Sequence, residues 1–253
     1  MREDGIFGEI DKIIKYTCEV NIMSMIQTSQ KISIEIKHTI ELGYLEKLPK
    51  NYDDKSSKKY PLVIFLHGMG ERGNDLEKLT VHGIPKLIEE KHAVLDNYEF
   101  IAVSPQCPDG YMWTMLDEAL VNLVKHCIKE RSADTSRIYL TGLSMGGFGS
   151  WHLAYKNPHI FAAVAPICGG LRDDGSEDLS VIKHLPMWVF HGAKDTVVPL
   201  LTSAEPVAKL NELGADVKFT VYPELEHDSW TVTYENPNFH KWLFSQKNDA
   251  FKI

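Results

Sequence analysis

Two hydrophobic patterns divide the chain. Near the N-terminus, "KISIEIK" (residues 31–37) alternates strictly, with Ile32, Ile34 and Ile36 on one face and Ser33, Glu35 and Lys37 on the other. A period of two is that of a half-buried strand. "HTIELGYLEKLP" (38–49) reads as its antiparallel partner, and the polar "KNYDDKSSKKYP" as an exposed loop. The pattern then changes. "PLVIFLHG" (61–68), "FIAVSPQ" (100–106), "RIYLTG" (137–142), "FAAVAPICGG" (161–170) and "MWVFHG" (187–192) are continuous apolar runs, as in strands buried on both faces. A last strand is predicted in "VKFTVYPELEHDSW". Between them Leu116, Leu120, Leu123, Val124, Cys127 and Ile128 form a helical stripe. Ser144–Asn157, Thr202–Leu213 and Pro237–Gln246 are further predicted helices. Strand alternating with helix predicts an α/β class, with a mostly parallel sheet of about eight strands, an antiparallel N-terminal edge and helices on both faces.

Composition narrows this picture. A chain of 253 residues with 43% hydrophobic content suits a single α/β domain spanning 1–253. The net charge of −8 argues against nucleic acid or an anionic membrane as partner. The N-terminus does not read as a signal peptide, and no apolar run is long enough to span a bilayer, so a cytoplasmic location is expected. Cys18, Cys107, Cys127 and Cys168 form no C-x-x-C pair. They read as reduced core thiols, a Cys107–Cys127 disulfide being the alternative for an exported protein.

In parallel α/β sheets, ligands sit beyond the carboxyl ends of the strands. There the chain places "HGMG" after the run ending at His67, Gly142-x-Ser144-x-Gly146 after "RIYLTG", Asp195 after "MWVFHG", and His227 after the last strand. G-x-S-x-G between strand and helix is a nucleophile elbow, which exposes the serine hydroxyl at a helix N-terminus. A glycine-rich turn is the plain alternative. Phe148 stands where a phosphate-binding loop needs lysine, and no dinucleotide motif or H-E-x-x-H occurs, so neither cofactor nor metal is expected. The order Ser144, Asp195, His227 matches nucleophile, orienting acid and base. Asp195 is preferred to Asp173 and Asp174, whose "RDDGSED" cluster reads as a solvated loop. His67 and His191 read as residues that shape their loops by hydrogen bonds to backbone. An oxyanion needs two backbone donors: Met145, after the serine, and Met69, from the "HGMG" loop.

The motifs "YPLVIFLHGMGERGND", "SPQCPDGYMW", "RIYLTGLSMGGFGSW", "VFHGAKDTVVP" and "HDSW" together resemble the α/β-hydrolase superfamily, over about residues 40–245. Within it they are similar to carboxylesterases close to dienelactone hydrolase, phospholipase/carboxylesterase and feruloyl or acetyl-xylan esterases. The resemblance implies the α/β-hydrolase fold, with Ser144 as nucleophile, His227 as base, Asp195 as acid and Met69 and Met145 as oxyanion donors. The implied partner is a small-molecule ester. Residues 1–28 match nothing in that pattern. There Ile6, Ile10, Ile13 and Ile14 suggest a small amphipathic helix, packed on the body or on a second subunit of a homo-oligomer. About fifteen residues (171–185) separate Gly170 from the next strand. That leaves little or no lid and favours short-chain or plant-cell-wall-type esters over long lipids. Trp113 and Trp230 are candidates for an aromatic substrate wall, with core packing as the alternative. Arg72 is a candidate carboxylate binder or salt-bridge partner. A peptidase using the same triad, and a catalytically silent binding protein on this fold, are the competing functions.

Overall fold

The strand β2 (Tyr60–Leu66) is buried at all seven positions, so it needs cover on both faces. The computed structural model describes residues 39–53, 55–171 and 177–253. Residues 40–253 group as one unit and 1–39 as another, of which only Thr39 is described. The expected strand at 31–37, the expected helix around Ile6–Ile14, Cys18, Asp173 and Asp174 lie outside the described residues.

Among the described residues, seven strands form one sheet in the order β1-β3-β2-β4-β5-β6-β7. β3 (Ile101–Pro105), β4 (Ala133–Leu143), β5 (Ala163–Ile167), β6 (Met187–Gly192) and β7 (Val217–Tyr222) run parallel to β2, directly or in turn. β1 (Tyr44–Lys47) is the antiparallel edge. Its partner among the described residues is β3, with Tyr44 opposite Pro105 and Lys47 opposite Ala102. β4 starts four residues earlier than its apolar run, because Ala133 pairs with Tyr60 before the register shifts at Leu62.

Alternation along β2 divides the core. Leu62, Ile64 and Leu66 join one cluster, with Leu120, Leu123 and Val124 of α2 (Asp117–Glu130), Trp151 and Leu153 of α3 (Met145–Lys156), and Val207 and Leu210 of α4 (Leu201–Glu212). Val63 and Phe65 join the other, with Ile84 and Leu87 of α1 (Gly83–Glu89), Tyr234 of α5 (Trp230–Tyr234), and Phe239 and Leu243 of α6 (Pro237–Ser245). α1 and α5, of seven and five residues, are too short to show a helical period. Because every parallel strand points the same way, the loops after β2, β4, β6 and β7 open on one edge of the sheet. No helix among the described residues is long and apolar enough to cross a membrane.

Candidate active site

β4 ends at Leu143, and Ser144 turns the chain into α3 with φ +52° and ψ −116°. This is a left-handed-side conformation that a non-glycine residue adopts only under constraint. The constraint is packing. A Cβ on Gly146 would stand 1.9 Å from the Leu66 carbonyl oxygen, and one on Gly147 would stand 2.4 Å from that of Ile167. The first turn of α3 therefore lies directly on the ends of β2 and β5. The Ser144 N–H donates to the Ile167 carbonyl at 2.9 Å.

The fold brings all three expected residues together. His227 Nε2 is 2.9 Å from Ser144 Oγ, and His227 Nδ1 is 2.7 Å from Asp195 Oδ2. Asp195 Oδ1 accepts the N–H groups of Val197 at 2.9 Å and Val198 at 2.8 Å. The Asp195 side chain is fully buried, while that of His227 is 20% exposed. The acid is thus shielded, and the histidine reaches solvent beside the serine. Such an array can hold the imidazole with its Nδ1 protonated and its Nε2 free to take the hydroxyl proton.

The loop after β2 is fixed by its neighbours. His67 Nε2 accepts the Cys107 N–H at 2.9 Å, so Nδ1 carries the proton and donates to the Gly68 carbonyl at 2.6 Å. Burial pushes the His67 imidazole down from 6.5 to about 4, which keeps it neutral. The Gln106 amide donates to the carbonyls of Glu71 and Asp75 at 2.8 and 2.7 Å. Arg72 donates to the carbonyls of Met69 and Tyr111, and to no carboxylate among the described residues. Met69 and Met145 follow directly on the N-cap residues Gly68 and Ser144. They begin a 3₁₀ turn and α3 respectively, where helical N–H groups are unsatisfied.

The two tryptophans part company. Trp113 is 1% exposed and does not form an open wall. Its indole N–H donates to the His67 carbonyl at 2.9 Å, and its Cβ occupies the space that a side chain at Gly149 would need. It braces the loop from below. Trp230 is 9% exposed and belongs to the core as well, but it reaches the site: it stacks edge-on against His227 and His82, at 5.2 and 5.3 Å between ring centres. Sequence reasoning missed Gln106 and Ser203. Gln106 carries no motif, and Ser203 lies inside a helix where serine is unremarkable.

Cys107, Cys127 and Cys168 are free buried thiols, which excludes the Cys107–Cys127 disulfide. Burial raises the first two to about 11 and about 12. Among the described residues, the trio able to share a cation is Cys168, Asp195 and His227, with ligand atoms within 4.8 Å. Asp195 and His227 are already bonded to each other, and burial pushes the Cys168 thiol far up from its ordinary value. The trio therefore suits hydrogen bonding better than metal binding.

Comparison with known proteins then decides the family. The phospholipase/carboxylesterase family matches residues 112–238, just over half the chain, a span that contains Ser144, Asp195 and His227. The chain belongs to that family. It is an ester hydrolase of the α/β-hydrolase fold. A thermostable esterase of known structure is 35% identical with a TM-score of 0.73, over 82% of this chain and 60% of that one. Lysophospholipase-like protein 1 of Mus musculus is 25% identical over 72% of this chain and 85% of its own. Feruloyl esterase B of Talaromyces funiculosus is 27% identical over 46% of this chain and 34% of its own. The chain thus spans only part of the thermostable esterase and of the feruloyl esterase.

Proposed function

We propose that the protein hydrolyses short-chain or plant-cell-wall-type carboxylic esters through an acyl-enzyme on Ser144. The observation that carries this reading is the unbroken chain from Ser144 Oγ to His227 at 2.9 Å and on to Asp195 at 2.7 Å. The Ser144 oxygen attacks the ester carbonyl carbon while its proton passes to His227 Nε2. The resulting oxyanion takes the N–H groups of Met69 and Met145, each worth about 10²–10³ in rate. Collapse breaks the ester C–O bond, and the His227 proton leaves with the alcohol. Water, deprotonated by His227, then attacks the acyl carbon, releases the carboxylic acid and returns the proton to Ser144.

The substrate class rests on exposed apolar side chains and on kinship. Met69, Met115 and Val197 are all exposed large apolar side chains. Each lies within two residues, along the chain, of a loop-fixing or catalytic position. Apolar side chains carried on those loops suit an apolar or aromatic acyl group, and the feruloyl esterase relative acts in that class by name.

The test is a panel of p-nitrophenyl esters from acetyl to dodecanoyl, with methyl ferulate and aminoacyl anilides, on wild type and Ser144→Ala. Cleavage of the short or feruloyl esters, lost in Ser144→Ala, is expected. Ester cleavage no better than the Ser144→Ala background would overturn the mechanism. Preference for dodecanoyl would overturn the substrate class, and faster anilide cleavage would make the protein a peptidase.

A further inference from the structure

A second histidine lies beneath the catalytic acid. His191, the last residue but one of β6, is fully buried and held at both ring edges. Its Nδ1 is 2.7 Å from Ser203 Oγ on α4. Its Nε2 is 2.9 Å from the Val198 carbonyl and 3.3 Å from Asp195 Oδ2. Ser203 is also fully buried, and its hydroxyl donates to the Gly169 carbonyl at 2.5 Å.

These partners over-determine the protons on the ring. A carbonyl oxygen only accepts, so Val198 requires a proton on Nε2. Ser203 has one hydroxyl proton, and Gly169 takes it. Ser203 Oγ therefore faces His191 as an acceptor, which requires a proton on Nδ1 as well. A neutral imidazole carries one N–H and an imidazolium two. If Ser203 instead turned its proton to the ring, its oxygen and that of Gly169 would stand 2.5 Å apart with no proton between them. A buried cation needs a counter-charge, and the Asp195 carboxylate, fully buried itself, provides one at 3.3 Å.

We propose that His191 is a positioning residue that works as an imidazolium: it holds the Asp195 carboxylate, and the loop that carries it, against His227. The proposal rests on the triad reading above. Its physical content is a closed ring of bonds. Asp195 Oδ1 takes the N–H groups of Val197 and Val198, while His191 takes the Val198 carbonyl. Asp195 Oδ2 is shared by His227 and His191. Ser203 ties the assembly to α4 and, through Gly169, to the segment after β5. Among the described residues, the charges facing His191 are few. Asp195 is the anion on its own loop, His227 stands across that carboxylate on the loop after β7, and Cys168 beside them is kept neutral by burial. Lys194 and Glu224 pair with each other at the exposed edge.

Two measurements test this. The first is ¹H–¹⁵N correlation of the histidine rings in wild-type protein at about pH 7.5, with His191 assigned by its loss in His191→Gln. The expected signature is a proton on both ring nitrogens of His191. A single N–H would overturn the proposal, whether or not the triad is correct. The second is kinetics of His191→Gln and Ser203→Ala on the ester that wild type cleaves best. A loss of about ten- to a hundredfold in kcat with KM nearly unchanged is expected for His191→Gln, and a smaller loss of the same kind for Ser203→Ala. An unchanged kcat in both variants would overturn the proposal. If His191→Gln fails to fold, Ser203→Ala and the wild-type spectrum decide it. Failure of the triad reading would show separately, as wild-type activity in Ser144→Ala.

Discussion

Replacing Asp195 by asparagine changes one oxygen into an NH₂ group, and the structure dictates where that group goes. Asp195 Oδ1 accepts two backbone N–H groups, from Val197 at 2.9 Å and Val198 at 2.8 Å. An NH₂ there would face two donors, at about 1–3 kcal/mol for each buried donor left unpaired. The amide oxygen is therefore pinned at Oδ1 and the NH₂ falls at Oδ2, where His227 Nδ1 lies at 2.7 Å. A donor there requires His227 to accept, so its proton moves to Nε2 and points at Ser144. The base is lost, and the carboxylate that faces His191 goes with it. A wrong tautomer costs about 10⁴-fold in kcat, or about 5.5 kcal/mol of transition-state stabilisation. The assay is p-nitrophenyl acetate hydrolysis by Asp195→Asn beside wild type, with thermal melting as the control. A variant that stays folded at the assay temperature, melts below wild type for want of the counter-charge to His191, and loses about 10³–10⁴-fold in kcat is expected. One that stays folded and loses less than about tenfold would refute the assignment of Asp195 as the orienting acid.

Gly146→Ala drives a Cβ to 1.9 Å from the Leu66 carbonyl oxygen; a destabilisation of about 3 kcal/mol or more is expected by denaturant melting, and a variant as stable as wild type would contradict the close packing of α3 on β2. Burial holds His67 near 4, whereas an unfolded imidazole takes its proton below about 6.5. The stability His67 contributes is therefore complete above that value and lost as the pH falls toward 4, by about 3 kcal/mol. Denaturant melts of His67→Gln across that range should show a flatter dependence on pH than wild type. Thr141→Val strands the Tyr234 hydroxyl, which bonds Thr141 Oγ1 at 2.9 Å in a fully buried site. A loss of about 1–3 kcal/mol is expected, exceeding that of Tyr234→Phe, and equal losses would argue that the hydroxyls are not paired.

The candidate site was largely legible because its constraints are short in sequence. The two glycines flanking Ser144 mark a turn, and the acid and base each follow a recognisable strand in the right order. The parallel sheet was legible from its uninterrupted apolar runs. What escaped depends on convergence of distant segments. Trp113 looked like a wall because sequence does not encode exposure; the absence of a side chain at Gly149 is what lets it sink beneath the loop. His191 was seen to shape its loop, and it does bond the Val198 carbonyl. Its charge follows only once Ser203 and Gly169, from two other segments, meet at its far edge. The short helices α1 and α5 had no room to show a period, and Gly83 and Pro85 break the signal of the first. Gly147 and Gly149 are now explained separately, the first by the end of β5 and the second by Trp113.

The central claim is that Ser144 is a nucleophile activated by His227. The most direct measurement is labelling with a p-nitrophenyl alkylphosphonate, followed by peptide mass spectrometry. The account predicts one adduct per chain, on the peptide that contains Ser144, absent from Ser144→Ala and formed at least about a hundredfold more slowly in His227→Ala. An adduct on another residue, or ester hydrolysis that persists while Ser144 stays unlabelled, would contradict it.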